Sequence, residues 1–425
     1  MIFVTNVKSS LMQIVFLINC VRYEKKYLIV VIFLDVILSN AHSRVDTCFF
    51  FFDECITIWA LYMIIVKQWK NSLFKRMLIL IFCMSTIGVI CNFYYGIQTQ
   101  LSPVFTDIGN CFKVFITYIG SSLYFRSFPE KESNRFIFLC GKSLIFMIYV
   151  MAVMAVLNLF IDIGMHQDIR YGIPSFAFLF GGGAKFLMTF YLVVPMTLLY
   201  MSTGKVKNTT QIILLLSVVY GLTMRSRAFV YVTILCFLFF YLIHSNKKFQ
   251  LTWKNIIIFL FIALLICYDQ IEFYINMDNG QTARNALLVN GFEIMKDLFP
   301  FGYGFGTYGT DVAARYYSKL YDLLGISNIY GMSRDDSAFA RDCYWPAIMG
   351  QFGFIGLITF GICIYFMFRD IFRVSTDKYM KMTAVVISSS LILASTADSS
   401  FFHFITVCCM FFLAFIFHRK RKTLA

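Results

Sequence analysis

The chain has 425 residues, of which 59% are hydrophobic and 14% are charged, and its net charge is +14. Soluble domains carry about 25% charged residues, so the composition excludes an ordinary soluble protein and indicates one polytopic membrane domain over residues 1–425. The basic residues fall in short clusters between apolar segments. This pattern is typical of cytoplasmic loops and argues against a nucleic-acid partner. The clusters are Lys67, Lys70, Lys75 and Arg76; Lys205 and Lys207; Lys247, Lys248 and Lys254; Arg369, Arg373, Lys378 and Lys381; and Arg419 to Lys422.

Twelve segments are predicted to span the membrane, because a spanning helix needs roughly 20 mostly apolar residues. Residues 10–21 are apolar too, but they are too short to be counted. Placing the basic loops in the cytoplasm puts both termini there and the remaining loops outside. The predicted fold is therefore all-α, a polytopic membrane protein with about 12 transmembrane helices. In chain order the segments are 27–40, 48–66, 77–97, 104–125, 136–164, 174–201, 210–223, 228–243, 255–269, 344–368, 380–396 and 401–417.

One long loop, residues 270–343 between the ninth and tenth predicted spans, is neither strongly apolar nor short. Its nine acidic and six basic residues give a net charge of −3, which favours the outer side. Apolar residues at helical spacing predict a helix over 282–298 and a second over 311–324, both lying on the membrane surface. Loops of this length are usually functional or disordered, and its aromatic residues argue against disorder. We therefore expect a folded, functional loop.

Two arginines in a short outer turn, Arg225 and Arg227, run against the usual placement of basic residues in the cytoplasm. One interpretation is a site for an anionic substrate, because cationic side chains at this depth usually face the bundle interior or a wet cavity. The alternative is that they snorkel to lipid phosphates. Arg284 begins the first loop helix, and its fork suits bidentate phosphate contacts. A salt bridge with Asp278 is the alternative for Arg284.

Two glycine-rich segments raise further candidates. Gly181–Gly183 permits a helix break that lines a cavity, where Lys185 is either a substrate ligand or a snorkelling side chain. Gly302–Gly306 does not have the context of a nucleotide-binding loop, since no strand precedes it and no Lys-Ser/Thr follows it. The aromatic residues in and after this second segment either stack on sugar faces or form the core of the loop. They are Tyr303, Phe305 and Tyr308.

Asp342 stands directly before the apolar segment 344–368. It either caps that helix or acts as a general base, and Arg341 beside it is a candidate substrate ligand. His166 and His403 are isolated along the chain, and no His, Cys, Asp or Glu spacing is typical of a metal site. The sequence thus predicts neither metal nor cofactor. If Asp342 is only a cap, the candidate bases are Glu272, Asp335 and Asp336.

The order of these motifs resembles that of a known family. A paired-arginine turn, a long outer loop that opens with Arg284, the segment FPFGYGFGTYG and a polar stretch leading into QFGFIG follow one another. This order resembles the O-antigen polymerase and ligase superfamily, and most closely the Wzy-type capsular or exopolysaccharide polymerases. Ser226-Arg227-Ala228 is similar to the family's Ser-Arg-small motif, whose arginine serves a diphosphate. The ligases have His-Asn before E-x-G-x-x-G, whereas this chain has Asp342-Cys343 before Gln351–Gly356, which favours a polymerase.

The resemblance implies a glycosyltransferase of the bacterial plasma membrane whose active side is extracytoplasmic. Its donor would be an oligosaccharide repeat unit on undecaprenyl diphosphate, polymerised into capsule, exopolysaccharide or O-antigen without nucleotide sugar or metal. Such an enzyme is surrounded by membrane lipid. The resemblance also allows other polysaccharide assembly proteins as partners, namely a flippase and a chain-length regulator. Arg225, Arg227 and Arg284 would stabilise the leaving diphosphate, and Asp342 would assist the acceptor hydroxyl.

Two alternatives to the polymerase follow from the same residues. The first is a ligase that transfers finished glycan to another acceptor. The second is a flippase or exporter of lipid-linked oligosaccharide, for which internal repeats and broken helices are expected. No internal repeat is evident in the sequence.

Overall fold

The computed structural model describes residues 52–67, 71–127, 130–206, 208–244 and 282–418, and these residues are mostly helical. The segment 10–21, the predicted spans 27–40 and 255–269, and the loop residues 270–281 lie outside the described residues. In chain order the elements are α1 (Phe52–Val66), α2 (Ser72–Tyr95), α3 (Leu101–Phe125), α4 (Glu130–Phe160), β1 (His166–Arg170), β2 (Ile173–Phe176), α5 (Gly183–Met188), α6 (Phe190–Met201), α7 (Thr209–Gly221), α8 (Ser226–His244), α9 (Ala283–Asp297), α10 (Asp311–Arg315), α11 (Lys319–Leu323), α12 (Tyr344–Val374), α13 (Lys378–Ser395), a 3-10 turn (Ser400–Phe402) and α14 (Phe404–Phe417).

Several of these helices are suited to cross a membrane. Within the described residues, four stretches are both long and apolar enough: Ser72–Tyr95, Ser133–Phe160, Gly183–Met201 and Tyr344–Val374. Three shorter apolar helices accompany them: Thr209–Gly221, Arg227–Phe240 and Phe404–Phe417. These helices mark the chain as a membrane protein. The number of twelve spans remains a prediction.

The outward faces of α2 and α4 are apolar. Phe82 and Phe146 are each 72% exposed, and further large apolar residues are exposed on the same helices, among them Ile79 and Phe93 of α2 and Val153 and Phe160 of α4. A contiguous apolar surface of this kind does not stay in water, and a bilayer covers it. The helices α6 and α14, by contrast, are buried almost all round, which is typical of a helix in the centre of a bundle.

The residues between α4 and α6 differ from the predicted loop and single spanning helix. The strands β1 and β2 form one antiparallel hairpin, in a structure that is otherwise mostly helical, as the all-α prediction expects. The predicted span 174–201 is wrong as one helix, because it begins in β2 and continues as α5 and α6 only after Gly181–Gly183. The backbone N–H of Phe176 donates a hydrogen bond to the carbonyl of Leu222 (2.9 Å). This bond ties the hairpin to the end of α7.

The bundle has two distinguishable ends. At the end that we call the distal end, Asp370 of α12 accepts hydrogen bonds from Asn71 (3.1 Å) and Tyr118 (3.0 Å) and lies 3.2 Å from His418. These contacts join the start of α2 to the last turns of α3, α12 and α14. The opposite end, where residues 282–343 pack, is called the loop end. Several of the basic residues noted in the sequence lie near the distal end: Lys75, Arg76, Lys205, Arg369 and Arg373.

The described part of the long loop, 282–343, is folded. The side-chain hydroxyl of Thr282 caps α9 by accepting from Asn285 N, and α9 lies against α12, with Gly291 close to Pro346. A second apolar cluster, separate from the bundle core, is centred on Tyr308 and Tyr321. The predicted helix over 282–298 is confirmed within one residue at its ends, whereas the one over 311–324 is two short helices, α10 and α11.

The glycine segment of the loop inserts into the bundle. Tyr303 N donates to Gly350 O (3.0 Å) and Gly304 N donates to Gln351 O (2.8 Å) of α12. Those carbonyls are available because α12 is interrupted at Gly353, whose φ of 62° is a conformation that suits glycine. A Cβ at Gly353 would lie 2.0 Å from Phe301 O. Only glycine therefore permits this approach of loop and helix.

Two polar side chains of neighbouring helices complete the anchoring. Asn92 of α2 accepts from Phe305 N (2.7 Å) and donates to Phe305 O (2.7 Å). Asp107 of α3 accepts from Gly306 N (2.7 Å) and from Gln351 Nε2 (2.7 Å). Buried backbone groups need such partners in a dry interior. The loop is thereby held to α2, α3 and α12 at once.

Replacing Asn92 with leucine should destabilise the protein, because it leaves the buried N–H and C=O of Phe305 unpaired. Each such group costs about 1–3 kcal/mol. We expect the thermal unfolding midpoint in detergent to fall clearly below that of wild type. Thr86→Val, an exposed change on the same helix, is the matched control and should change little. Equal midpoints for the two variants would contradict the anchoring role.

Cysteine labelling in intact cells tests whether the two ends face opposite sides of the membrane. Asp335 at the loop end and Arg373 near the distal end are both exposed. In a background without accessible native thiols, a membrane-impermeant maleimide should label Asp335→Cys in intact cells. Arg373→Cys should react only after permeabilisation, because the basic residues favour the cytoplasm. The reverse pattern would invert the orientation.

Candidate active site

The turn between α7 and α8 presents Arg225 and Arg227 at the loop end. Ser175 of the hairpin donates to the carbonyl of Thr223 (2.7 Å), which fixes the turn just before Arg225. Arg225 O in turn accepts from Ala228 N (2.8 Å) and starts α8. The two arginines are therefore set by backbone contacts on both sides, and their side chains lie largely inside the protein, 22% and 19% exposed.

Arg225 shares the carboxylate of Asp168 with Arg170. The Asp168 oxygen lies 2.6 Å from Arg170 Nε and 3.4 Å from Arg225 Nη2. Burial would raise the pKa of Asp168, but the hydrogen bond from Arg170 and the charges of both arginines hold it below its ordinary value. Within the described residues, Arg225 Nε is buried and has no hydrogen-bond partner. The guanidinium of Arg225 is thus only partly compensated.

Arg227 belongs to a tighter contact. Its Nη1 lies 2.6 Å from one oxygen of Asp398, and His403 Nε2 lies 2.9 Å from the other oxygen. Burial of Asp398 would raise its pKa, but His403 and Arg227 outweigh burial and hold the pKa of the carboxyl well below its ordinary value. These three side chains join the start of α8 to the connection between α13 and α14.

Arg284 meets Asp342 across the loop. Arg284 Nη2 donates to Asp342 Oδ2 at 3.1 Å, and the two side chains are 31% and 30% exposed. The residue that caps α12 is Cys343, without a side-chain cap, so the interpretation of Asp342 as a helix cap is wrong. The suggested partner Asp278 lies outside the described residues. Asp342 is the counterion of Arg284, and a role as base remains a prediction.

These pairs belong to one cluster. Burial lowers the pKa of Arg225, and the positive charges of Arg170, Arg227 and Arg284 lower it further. Cys343 lies within the fields of Arg284, Asp342 and Asp398, and burial raises its pKa to about 12. Ser399 Oγ also donates to Arg341 O (2.8 Å). Four arginines, three aspartates and one histidine therefore meet at the loop end: Arg170, Arg225, Arg227, Arg284, Asp168, Asp342, Asp398 and His403.

Not all of the predicted ligands reach this cluster. Phe305 and Tyr308 are fully buried, Phe305 against Phe352 and Tyr308 with its hydroxyl bonded to Leu287 O (2.8 Å). Neither ring has a face for a sugar, so the loop-core alternative replaces the prediction for both. Tyr303 is half-buried and packs edge-on to Tyr95 (5.3 Å) beside the glycine segment.

The two remaining predicted ligands also lie apart from the ion pairs. The guanidinium of Arg341 pairs with Asp311 on the loop surface, and only its backbone carbonyl touches the connection at Ser399. Lys185 is exposed on α5, two residues after Gly183. A Cβ at Gly183 would lie 3.4 Å from Arg225 Nε, so α5 begins beside the cluster, although Lys185 forms no ion pair with the described residues of the cluster.

Sequence reasoning missed four members of the cluster. Asp398 and His403 lie far along the chain from the arginines, and Arg170 and Asp168 lie in the connection between the predicted spans 136–164 and 174–201. One signal was present: Asp398 and His403 are the titratable residues in and just after the very short connection between the predicted spans 380–396 and 401–417, a place where charges usually have a function. No spacing rule pairs them with Arg227, 171 residues away.

No metal or similarity to a characterised protein accounts for this site. The described residues contain no group of three or more His, Cys, Asp or Glu side chains that could hold a metal ion. Comparison with protein-family models, with curated proteins and with solved structures finds no match.

A double-mutant cycle tests whether Arg227 and Asp398 form a buried ion pair. Arg227→Met leaves Asp398 without its closest cation, and breaking such a pair costs about 3–5 kcal/mol of unfolding free energy. Combining it with Asp398→Leu should recover much of the loss. Arg315→Met breaks an exposed pair with Asp311 and should cost about 0–1 kcal/mol. Additive effects of the two site mutations in thermal unfolding would exclude the pair.

Proposed function

We propose that this protein is a membrane glycosyltransferase that polymerises oligosaccharide repeat units carried on undecaprenyl diphosphate into a bacterial surface polysaccharide. The observation that carries the proposal is the clustering of four arginines at one end of an apolar bundle, under a folded loop. Four arginines against three aspartates leave the described part of this cluster with an excess of positive charge. A ligand that is both strongly anionic and attached to a long apolar chain fits such a place.

The strengths of the contacts indicate which arginines bind the diphosphate. Arg170 and Arg227 hold their aspartates at 2.6 Å, whereas Arg225 and Arg284 lie at 3.4 and 3.1 Å from theirs. The longer contacts exchange more readily for phosphate oxygens. Guanidinium forks match phosphate in a bidentate manner. We therefore assign the direct contacts with the diphosphate to Arg225 and Arg284. Arg227 contributes a fixed positive charge near the diphosphate without exchanging its own partner.

The chemistry is a displacement at the anomeric carbon. The acceptor hydroxyl oxygen forms a bond to this carbon, and the bond from the carbon to the diphosphate oxygen breaks. The electron pair of that bond leaves with the diphosphate, which gains negative charge. Fixed cations in a partly dry site stabilise this charge more than water does, so the cluster favours the transition state over the bound donor.

The surface of the loop supports an apolar carrier. The outward face of α9 exposes Leu288 and Phe292, and the adjoining Phe299 is 67% exposed and packs near Phe354 of α12 (5.6 Å). Such a face is suited to the boundary of a bilayer. In one orientation of the loop, the lipid chain of the donor can therefore lie in the membrane while its diphosphate reaches the arginines.

The orientation follows from charge. Basic residues near the distal end favour the cytoplasm, which leaves the loop end and the arginine cluster outside. A glycan polymerised there is already beyond the membrane. The proposed location is therefore the bacterial plasma membrane, with the active side extracytoplasmic.

Two other functions use the same site differently. A ligase needs the same leaving group but transfers the glycan once, to a different acceptor. An exporter needs no bond cleavage, and the interruptions at Gly181–Gly183 and Gly353 are of the kind found in transporters. The covalent product separates the three: a ladder of polymer, a single transferred glycan, or unchanged lipid-linked repeat units moved across a vesicle.

Purified protein in nanodiscs with a defined undecaprenyl-diphosphate-linked repeat unit should produce a ladder in EDTA and without nucleoside triphosphate. Arg225→Ala and Arg284→Ala should reduce the rate about 10²–10³-fold, the effect of losing one donor to a developing anion. Arg284→Lys should recover only part, because lysine lacks the fork.

Arg315→Ala on the loop surface is the matched control for these arginine variants, and it should retain the wild-type rate. A full ladder from both site variants would leave the arginines without a role in the reaction. Lack of any ladder from the wild-type protein, with donor shown to be bound, would reject the polymerase itself.

A further inference from the structure

The displacement needs a group that accepts the proton of the acceptor hydroxyl. Asp342, the sequence candidate, lies against Arg284 (3.1 Å), the arginine assigned to the diphosphate, and therefore on the leaving-group side of the anomeric carbon rather than the side that the acceptor attacks. Asp398 is engaged on both oxygens, by Arg227 (2.6 Å) and by His403 (2.9 Å). Asp168 has one oxygen shared between Arg170 (2.6 Å) and Arg225 (3.4 Å), and its other oxygen is buried. None of the three carboxylates of the cluster is therefore well placed to receive a proton from substrate. The histidine is the remaining candidate in the cluster.

The hydrogen bond to Asp398 determines the protonation pattern of His403. An ionised carboxylate only accepts hydrogen bonds, so His403 Nε2 donates its hydrogen to Asp398. The lone pair of a neutral imidazole then lies on Nδ1. The His403 side chain is about one-third exposed, against 11% for Asp398, so substrate has access to the imidazole but hardly to the carboxylate beneath it.

We propose that His403 accepts the proton of the attacking sugar hydroxyl and that Asp398 orients its imidazole. This inference rests on the proposed polymerase function. As the acceptor oxygen bonds to the anomeric carbon and the diphosphate leaves with its electron pair, the hydroxyl proton moves to Nδ1 of His403. The resulting imidazolium is stabilised by Asp398 and later releases its proton to water.

The neighbours of the pair are consistent with this role. The charged and titratable groups that face Asp398 and His403 are Arg227 and Tyr231 of α8, Tyr191 of α6 and Cys343 before α12. Tyr191 and Tyr231 bond to each other through their hydroxyls (2.9 Å). Arg227 is the only cation in this group, and it lies on the opposite oxygen of Asp398. The imidazole therefore lies on one side of Asp398, and the arginines proposed to stabilise the leaving diphosphate lie on the other side.

The test measures polymerisation by purified protein at saturating donor over pH 5 to 9, for wild type, His403→Asn, His403→Gln and Asp398→Asn. General-base catalysis contributes about 10²–10⁴-fold, so kcat of both His403 variants should fall by that amount. The KM for donor should change little. The acidic limb of the wild-type pH–rate profile should vanish in both variants, and Asp398→Asn should lower kcat as well. His166→Asn, a half-buried histidine beside Asp162, is the matched control and should keep both rate and profile.

Donor binding, measured by native mass spectrometry, separates the outcomes. The proposal is supported if both His403 variants bind donor as tightly as wild type but polymerise more slowly and lack the acidic limb of the pH–rate profile. Near-wild-type rates with the acidic limb retained would overturn it, and so would loss of donor binding, because His403 would then hold the site together. Absence of a ladder from wild type would instead reject the polymerase on which the inference rests.

Discussion

The pairing of the glycine segment with the interrupted helix α12 is the constraint on which the arrangement of the loop end depends. In an apolar bundle, every buried N–H and C=O must find a partner within the protein. Gly353 breaks α12, and the carbonyls of Gly350 and Gln351 then accept from the loop backbone. Asn92 and Asp107 pair with the groups that remain. Because the loop is fixed in this way, its two ends carry Arg284 and Asp342 to a defined place over the bundle.

Charge compensation at that place is graded rather than uniform. Arg227 is held closely by a buried aspartate, and this pair links the start of α8 to the connection before α14. Arg225 and Arg284 have longer and more exposed contacts. Separating a buried charge from its partner costs several kcal/mol of stability, so we expect Arg227 to stay paired with Asp398. The longer contacts of Arg225 and Arg284 are the ones that the proposed binding of a diphosphate would exchange for phosphate oxygens.

The sequence predicted the parts of this structure that depend on local pattern. Long apolar segments located most of the long described helices, although 174–201 is not one helix, and apolar periodicity located the loop helix α9. The sequence also singled out Arg225 and Arg227 by the charge of the short turn that holds them. It did not predict the hairpin over 166–176, because those residues lack the alternation of a half-buried strand. It also left open whether Phe305 and Tyr308 face a ligand or the core, since an aromatic side chain suits both. The pairing of Arg227 with Asp398 and His403 depends on tertiary packing between distant helices, and no spacing in one sequence encodes it.

The most direct measurement is a cryo-electron microscopy structure of the protein in nanodiscs with an undecaprenyl-diphosphate-linked repeat unit. The account predicts density for the diphosphate at the loop end, in contact with Arg225 and Arg284 and with Asp342 displaced from Arg284. The sugar next to the diphosphate should face the imidazole of His403. Diphosphate density at the distal end, among Arg369, Arg373 and their neighbours, would contradict the central claim.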